Sequence, residues 1–110
     1  MMDRRSPDYV CVHELESLLG RDGTIMLVDA RSPEEYDAGH MPGSINVPIG
    51  SLVEMIGSDR FAGAGLVVTL CGSTGRGEQA AGILRAEGVK GVKVLRGGLK
   101  AWREAGYPIE

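Results

Sequence analysis

The residue in the most distinctive chemical setting is Cys71, which opens the glycine-rich stretch CGSTGRG. The apolar run before it, LVVTL at residues 66–70, is typical of a strand buried on both faces. Residues 78–87 carry alanine, leucine and isoleucine at helical spacing, which predicts a helix. A thiol between a strand and a helix N-terminus meets backbone N–H groups and the positive end of the helix dipole, which favour the thiolate. We therefore predict that Cys71 is a nucleophile in an anion-binding loop.

The remaining residues of this loop are suited to holding a small anion. Glycine allows backbone angles and close approaches that other residues obstruct, and Ser73 and Thr74 offer hydroxyl donors. Arg76 adds a permanent positive charge whose planar, forked geometry suits oxyanions. The predicted substrate-binding residues are therefore Gly72, Ser73, Thr74, Gly75, Arg76 and Gly77.

The rest of the chain alternates between strand and helix patterns. Strands are predicted over residues 9–12, 25–30, 45–47 and 92–95. Helices are predicted over residues 13–19, 33–38 (with Ser32 as the N-cap), 50–56 and 99–105. This alternation predicts an α/β fold with a mostly parallel central sheet and helices on both faces. We expect residues 1–110 to form one domain, because this length suffices for one core and the sequence shows no repeat or linker.

Composition argues against several classes of function. A net charge of −3 with scattered basic residues argues against nucleic acid as a partner. No apolar run approaches the roughly 20 residues of a membrane helix, so no membrane partner is predicted. The opening MMDRRSPDY is not followed by an apolar core, so we expect no secretory signal and take the cytoplasm as the default compartment. Two cysteines do not make a secreted disulfide framework.

A group of basic residues near the C-terminus has two interpretations. Acidic residues lie close by in the sequence, so a solvated face is the first interpretation. A basic rim that attracts an anionic substrate or an acidic partner is the alternative. The group consists of Lys90, Lys93, Arg96, Lys100 and Arg103.

Several other polar side chains are interpreted as structural. Asp29 ends a predicted strand and is expected to hydrogen-bond a loop, while Arg31 and Glu35 are expected to pair across one helical turn. His40 lies in the tight segment GHMPG, where a histidine more often satisfies backbone groups than acts as a base. Cys11 is interpreted as a buried small hydrophobe.

Other site types fit the sequence less well. A triad of Asp29, His40 and Ser73 lacks the G-x-S-x-G turn that exposes a nucleophilic serine. Cys11 and His13 lack the further ligands that a structural zinc site requires. GSTGRG matches neither the dinucleotide fingerprint nor the P-loop. We therefore predict no metal and no cofactor, and we interpret the single tryptophan, Trp102, as part of the core.

Three motifs in order resemble the rhodanese (sulfurtransferase) family over nearly the whole chain. LVDARSPEEYDAGHMPGSINVP is similar to the family's first signature, a strand ending in Asp-x-Arg, then an acidic-aromatic helix and Gly-His-x-Pro-Gly-x-x-Asn. Cys71, four intervening residues and Arg76 resemble its active loop. GGLKAW resembles its closing Gly-Gly-x-x-x-Trp.

The resemblance implies a sulfurtransferase that works through a persulfide of Cys71. A small sulfur-donor anion such as thiosulfate would supply the sulfane sulfur, and a thiol or cyanide would accept it, with a thiol redox protein as a further candidate partner. The sequence Cys-Gly-Ser also resembles the start of the loop in the 3-mercaptopyruvate branch, which lacks the arginine, so the donor is left open.

The resemblance leaves two other functions to consider. The first is a regulatory or protein-binding module without significant turnover, although such a module has no need of both Cys71 and Arg76. The second is a phosphatase or arsenate reductase. Phosphatases that resemble this fold carry five residues between cysteine and arginine, whereas this chain has the four residues 72–75. A shorter loop favours a single sulfur atom over a tetrahedral oxyanion.

Overall fold

The computed structural model of the protein describes residues 8–20, 24–57, 61, 63–72 and 75–110. The strands among these residues are β1 (Tyr9–Val10), β2 (Ile25–Asp29), β3 (Ile45–Asn46), β4 (Leu66–Leu70) and β5 (Val92–Leu95). The helices are α1 (Val12–Leu19), α2 (Pro33–Ala38), α3 (Leu52–Gly57), α4 (Gly75–Ala86) and α5 (Gly98–Glu104), with a 3-10 turn at Ile49–Ser51 before α3.

The strands form one sheet in the order β1-β5-β4-β2-β3. The pairings among these strands are all parallel. The carboxyl ends of the strands therefore lie at one edge of the sheet, and the helices that follow them begin at the same edge. The predicted α/β fold with a parallel sheet is confirmed, and β4 is the central strand.

Helices cover both faces of the sheet, and each face has its own apolar core. One core joins α3 and α4 to the sheet through buried residues that include Val28, Val47, Leu52, Val67, Ala80, Leu84 and Val92. The other joins α1 and α5 to the opposite face through Leu15, Leu27, Val68, Leu70, Leu95, Leu99 and Trp102 among others. Because β4 contributes to both cores, its sequence is continuously apolar rather than alternating. The prediction that Trp102 is part of the core is confirmed.

The N-terminal strand is shorter than predicted, and Cys11 caps a helix. β1 ends at Val10, and the Cys11 sulfur accepts a hydrogen bond from the Glu14 N–H at 3.5 Å. The Glu14 carboxylate accepts one from the Cys11 N–H at 3.2 Å, which completes a capping box. Cys11 is only partly buried, so its interpretation as a buried hydrophobe is wrong. Its sulfur takes the place that a hydroxyl usually occupies at a helix start.

The boundaries of α2 agree with the sequence, whereas α4 begins earlier than predicted. Ser32 is the N-cap of α2 and Gly39 is its C-cap, as expected. α4 begins at Gly75, three residues before the predicted start at Glu78. No helix in the described part of the chain has both the length and the apolar character needed to cross a membrane.

Candidate active site

Cys71 is the first residue after β4, at the edge of the sheet where the following helices begin. Its side chain is almost fully buried, with 2% of the residue exposed, and it forms no disulfide. The thiol thus lies on the central strand at the position where parallel α/β sheets place ligands. Ser73 and Thr74, which were predicted to bind substrate, lie outside the described residues.

The backbone around Cys71 is anchored to the first turn of α5. The Leu99 N–H donates to the Cys71 carbonyl at 2.8 Å, and the Lys100 N–H donates to the Gly72 carbonyl at 3.0 Å. Because the C=O and N–H of a trans peptide point in opposite directions, the Gly72 N–H points away from α5. The motif GGLKAW therefore has a local role that the sequence did not reveal. It fixes the orientation of the peptides that follow the thiol.

This anchoring depends on a left-handed glycine at the start of α5. Gly97 is the N-cap of α5 and has φ of 80°, a conformation that residues with a Cβ rarely adopt. A Cβ at Gly97 would lie 2.6 Å from the Ala101 Cβ. A glycine is thus required here both for the backbone angle and for space.

The N-terminus of α4 lies four residues after Cys71, at the same edge of the sheet. α4 is 12 residues long, and Gly75, Arg76 and Gly77 form its first turn. The N–H groups of a first turn carry the partial positive charge of the helix and bind anions. These three residues were predicted as part of a loop, and that part of the prediction is wrong. Their backbone N–H groups nevertheless lie at the N-terminus of α4, the first helix after Cys71.

Gly77 is buried where α4 crosses β4. A Cβ on it would lie 3.4 Å from both the Leu70 Cα and a methyl carbon of Val94. The Thr69 hydroxyl donates to the Gly77 carbonyl at 2.7 Å. Neither Gly72 nor Gly77 has a left-handed φ, so unusual backbone angles are not the reason for these two glycines. The sequence offers two reasons for the glycines, backbone angles and close approaches. At Gly77 the reason is the close approach of α4 to β4.

The guanidinium of Arg76 forms a two-point ion pair with Glu35 of α2. Its Nη1 donates to Oε1 of Glu35 at 2.8 Å and its Nη2 donates to Oε2 at 3.0 Å. Both side chains are 42% exposed. The hydrogen bonds from Arg76, with further ones from Ser32, lower the pKa of Glu35 to about 2. The hydrogen bonds to Glu35 in turn raise the pKa of Arg76, with a smaller contribution from Asp29.

Sequence reasoning missed this role of Glu35 because its partner is distant in the chain. The predicted pairing of Arg31 with Glu35 is wrong, since Arg31 precedes α2 and pairs with Asp29 instead. The Arg31 Nε and Nη2 donate to both oxygens of Asp29 at distances between 2.8 and 3.1 Å. The signal that was present is the glutamate at the third position of a capping box, Ser32–Glu35, which fixes that carboxylate at the helix start.

The Asp29–Arg31 pair organises the turn beside the Cys71 loop. Asp29 is fully buried and Arg31 is 6% exposed. Asp29 also accepts the Arg31 N–H at 3.0 Å, and Arg31 donates to the Gly39 carbonyl at 2.7 Å. Asn46 donates to the Asp29 and Arg31 carbonyls. The prediction that Asp29 hydrogen-bonds a loop is confirmed.

A family model described as "Rhodanese-like domain" matches residues 12–105, which includes every element from α1 to α5. The chain belongs to the rhodanese-like family. This match covers Cys71, Arg76 and Glu35 together with the α5 segment that anchors the loop.

Relatives of this rhodanese-like domain differ in their described functions. The chain is 34% identical over 94 residues to the chloroplastic thiosulfate sulfurtransferase 16 of Arabidopsis thaliana, covering 76% of this chain and 78% of that protein. It is 38% identical over 94 residues to an HTH-type transcriptional regulator of Mycobacterium tuberculosis. That match covers 80% of this chain but only 38% of the regulator's length.

A solved structure from Rhodopseudomonas palustris has the same fold as this rhodanese-like domain. It is of a protein of unknown function described as a possible tyrosine phosphatase. The TM-score is 0.87 at 26% identity, and the match covers 100% of this chain and 98% of that one. The chain is thus similar to proteins described as a thiosulfate sulfurtransferase, a transcriptional regulator and a possible tyrosine phosphatase, and these matches do not decide among the three functions.

The other candidate residues of the rhodanese-like domain have structural contacts. The His40 ring stacks on Tyr36 with centroids 3.9 Å apart, and its Nδ1 lies 2.9 Å from the Tyr36 carbonyl. The His13 Nδ1 lies 2.7 Å from the Tyr107 hydroxyl. Within the described residues, no group of three or more His, Cys, Asp or Glu side chains is placed to hold a metal ion.

Proposed function

We propose that this rhodanese-like domain is a sulfurtransferase in which Cys71 carries a sulfane sulfur. The observation that carries the proposal is the position of Cys71, buried at the end of the central strand and four residues before the start of α4. The similarity to a thiosulfate sulfurtransferase over most of both chains supports the same reaction. A cysteine in such a field reacts as the thiolate, which is the form that attacks a sulfane sulfur.

The reaction has two steps, and Cys71 is the nucleophile of the first. The Cys71 thiolate attacks the outer sulfur of thiosulfate, a new S–S bond forms, and the old S–S bond breaks with its electron pair leaving on sulfite. A thiolate or cyanide then attacks the outer sulfur of the Cys71 persulfide. The products are a new persulfide or thiocyanate, and Cys71 leaves as the thiolate again. No external oxidant or reductant is needed.

The surroundings of Cys71 contribute by holding negative charge. The persulfide is an anion, and the N–H groups of the first turn of α4 are suited to stabilise it. The anchoring of the Cys71 and Gly72 carbonyls on α5 keeps these acceptors turned away from the site. Residues 72–77 thus serve as the substrate-binding segment in this proposal, with Cys71 as the catalytic residue.

Intact mass spectrometry tests the proposal directly. After incubation with thiosulfate and removal of excess donor, the wild-type protein should gain one sulfur atom and lose it on addition of cyanide. Cys71→Ser should gain none. Cys11→Ser is the matched control, because it also removes one thiol and places a preferred N-cap residue at the start of α1. Equal loss of sulfur uptake in both variants would overturn the assignment of Cys71.

A regulatory function is the second candidate, and the similarity to part of a transcriptional regulator favours it. In that case the persulfide would form but would not turn over. The two functions are separated by following the loaded protein after addition of a thiol or cyanide. Rapid discharge followed by repeated loading supports the enzyme. Loading that persists in the presence of acceptors supports the regulatory module.

Phosphatase activity is the outcome that we do not expect. Four residues separate Cys71 from Arg76, and a displacement of about 1 Å in a catalytic group can reduce the rate about a hundredfold. We expect sulfur transfer and negligible hydrolysis of an aryl phosphate when both are assayed on one preparation. Phosphate release without persulfide formation from any donor would contradict the proposal.

A further inference from the structure

The forked end of Arg76, which would otherwise receive an oxyanion, is already occupied. Both terminal nitrogens of its guanidinium bind the two oxygens of Glu35, at 2.8 and 3.0 Å. This two-point geometry is the one that arginine uses to recognise carboxylates and other oxyanions. An incoming donor therefore meets a charge that is already balanced.

Glu35 is held in this position independently of Arg76. Its Oε1 also accepts hydrogen bonds from the Ser32 N–H and the Ser32 hydroxyl, both at 3.1 Å. In return, the Ser32 Oγ accepts from the Glu35 N–H at 3.3 Å. The capping box of α2 therefore presents the carboxylate to Arg76, and the low pKa of Glu35 keeps it charged at neutral pH.

The neighbouring charges on this side of the site are balanced as well. Asp29 and Arg31 form a buried pair in the adjacent turn, and the Asp29 carboxylate adds a little to the raised pKa of Arg76. The side of the Cys71 loop that faces α2 thus consists of two ion pairs, each neutral by itself. An uncompensated arginine beside the loop would instead favour donors with more negative charge.

We propose that Glu35 is a specificity-determining residue that disfavours doubly charged sulfur donors by occupying the fork of Arg76. This inference rests on the proposed sulfurtransferase function and identifies its donor class. The favoured donors carry a sulfane sulfur and at most one negative charge, as simple thiosulfonates do. Thiosulfate, a dianion with the same reactive sulfur, is a poorer donor.

The kinetic test compares Glu35→Gln with Glu34→Gln. Glutamine retains the capping box at residue 35 but removes the charge. Glu34 is the adjacent exposed residue on the same helix, so its replacement removes the same charge without affecting Arg76. With thiosulfate, Glu35→Gln should raise kcat/KM about threefold to tenfold, mainly through KM. With methanethiosulfonate, a monoanion, the rise should be smaller, and Glu34→Gln should change neither donor's kinetics.

Two further comparisons show whether the effect passes through Arg76. The gain with thiosulfate should decline as ionic strength rises, since salt screens exposed charges. The gain should also disappear in the double variant Glu35→Gln/Arg76→Gln, because the Arg76 guanidinium that Glu35→Gln leaves unbalanced is then absent. A gain that survives removal of Arg76 would overturn the proposal.

A second measurement does not depend on sulfur transfer. In a Cys11→Ser background, the alkylation rate of Cys71 is measured with iodoacetate, which is negatively charged, and with iodoacetamide, which is neutral. Glu35→Gln should raise the ratio of the two rates, and Glu34→Gln should leave it unchanged. If no donor forms a persulfide but the ratio rises, the proposed function and its donor class fail, while Glu35 still controls the access of anions to Cys71. An unchanged ratio, or a lower kcat/KM for thiosulfate in Glu35→Gln, would overturn the role of Glu35.

Discussion

The turns after β2 and β4 lie next to each other at one edge of the sheet but use their polar groups in opposite ways. In the β2–α2 turn, the Asp29 carboxylate, the Ser32 hydroxyl and the Glu35 carboxylate accept hydrogen bonds from nearby backbone N–H groups. In the β4–α4 turn, no described side chain accepts a hydrogen bond from the first-turn N–H groups of α4. The β2–α2 turn is completed by its own side chains, whereas in the proposed function the first turn of α4 offers its N–H groups to an anion.

The difference shows how one local geometry serves two purposes. A parallel strand followed by a helix always brings free N–H groups to the same edge of the sheet. Carboxylates and hydroxyl groups satisfy those donors within the first turn and make it rigid. Glycines and a thiol stand in place of such side chains in the described part of the second turn, at residues 71, 72, 75 and 77. The β2–α2 turn thus supports the β4–α4 turn, and the ion pair of Glu35 with Arg76 is the contact between them.

The largest effect on stability is expected from disrupting the β2–α2 turn, which its own side chains complete. Asp29→Ala leaves the guanidinium of Arg31, itself 6% exposed, without its carboxylate. Removal of one partner of a buried ion pair costs about 3–5 kcal/mol of unfolding free energy. Urea denaturation of the variant and the wild type measures this loss. Glu34→Ala, which removes an exposed carboxylate from the same region, should change the stability by much less, and an equal loss would refute the role given to the buried pair.

An intermediate effect is expected from weakening the hydrogen bonds between α5 and the β4–α4 turn. Gly97→Ala introduces a Cβ at φ of 80° and within 2.6 Å of the Ala101 Cβ. The left-handed angle alone costs about 1–2 kcal/mol of unfolding free energy. The close contact with Ala101 adds to this cost, and it displaces the N–H groups that bind the Cys71 and Gly72 carbonyls. Stability and the rate of persulfide formation should both fall.

Gly43→Ala is the matched control for this change. Gly43 has the same φ of 80°, but a Cβ there would meet no atom within 4 Å. Gly43→Ala should lose stability through the backbone angle alone and retain the rate of persulfide formation. If both variants lose the rate to the same extent, α5 does not control the orientation of the loop.

The smallest effect is expected from removing the ion pair of Glu35 and Arg76, which joins the two turns. The hydrogen bonds from Arg76, together with those from Ser32, lower the folded-state pKa of Glu35 from 4.5 to about 2. The contacts of the Glu35 carboxylate therefore stabilise the fold fully above pH 4.5, and this contribution is lost as the pH falls toward 2. Arg76→Gln should therefore lower the unfolding free energy slightly at pH 7, as is usual for exposed ion pairs. The difference between variant and wild type should shrink on acidification, and chemical denaturation at pH 7, 5, 4 and 3 measures it. A difference that grows as the pH falls would contradict the pairing.

Most of the fold could be predicted from the sequence because its signals are local. Apolar runs mark β2, β4 and β5, and the pattern Ser-Pro-Glu-Glu marks the start of α2. The sequence predicts the start of α4 three residues too late, because Gly75 and Gly77 have a low helix propensity. In the structure, the close packing of Gly77 on Leu70 and Val94 favours a helical first turn in spite of that preference.

The position of the candidate thiol could be predicted from the sequence, whereas the contacts around it could not. The role of Cys71 as nucleophile stays a prediction. That Cys71 lies at the end of a buried strand follows from the apolar run before it and the glycines after it. The partner of Arg76 does not, because Glu35 is 41 residues away in the chain and becomes its neighbour only through the order of strands in the sheet. The same order explains why GGLKAW, which follows β5, reaches the loop after β4.

During synthesis, β1 leaves the ribosome long before the strand beside which it will lie. Its partner is β5, with Tyr9 beside Val94, whereas β2, β3 and β4 can pair among themselves earlier. Closing so long a stretch of chain is slow, so the β1 edge is expected to join the sheet last. The N–H groups of Leu99 and Lys100 that orient the loop emerge later still. A nascent chain therefore carries the thiol of Cys71 without its final surroundings, and we expect the proposed persulfide to form only when α5 has docked.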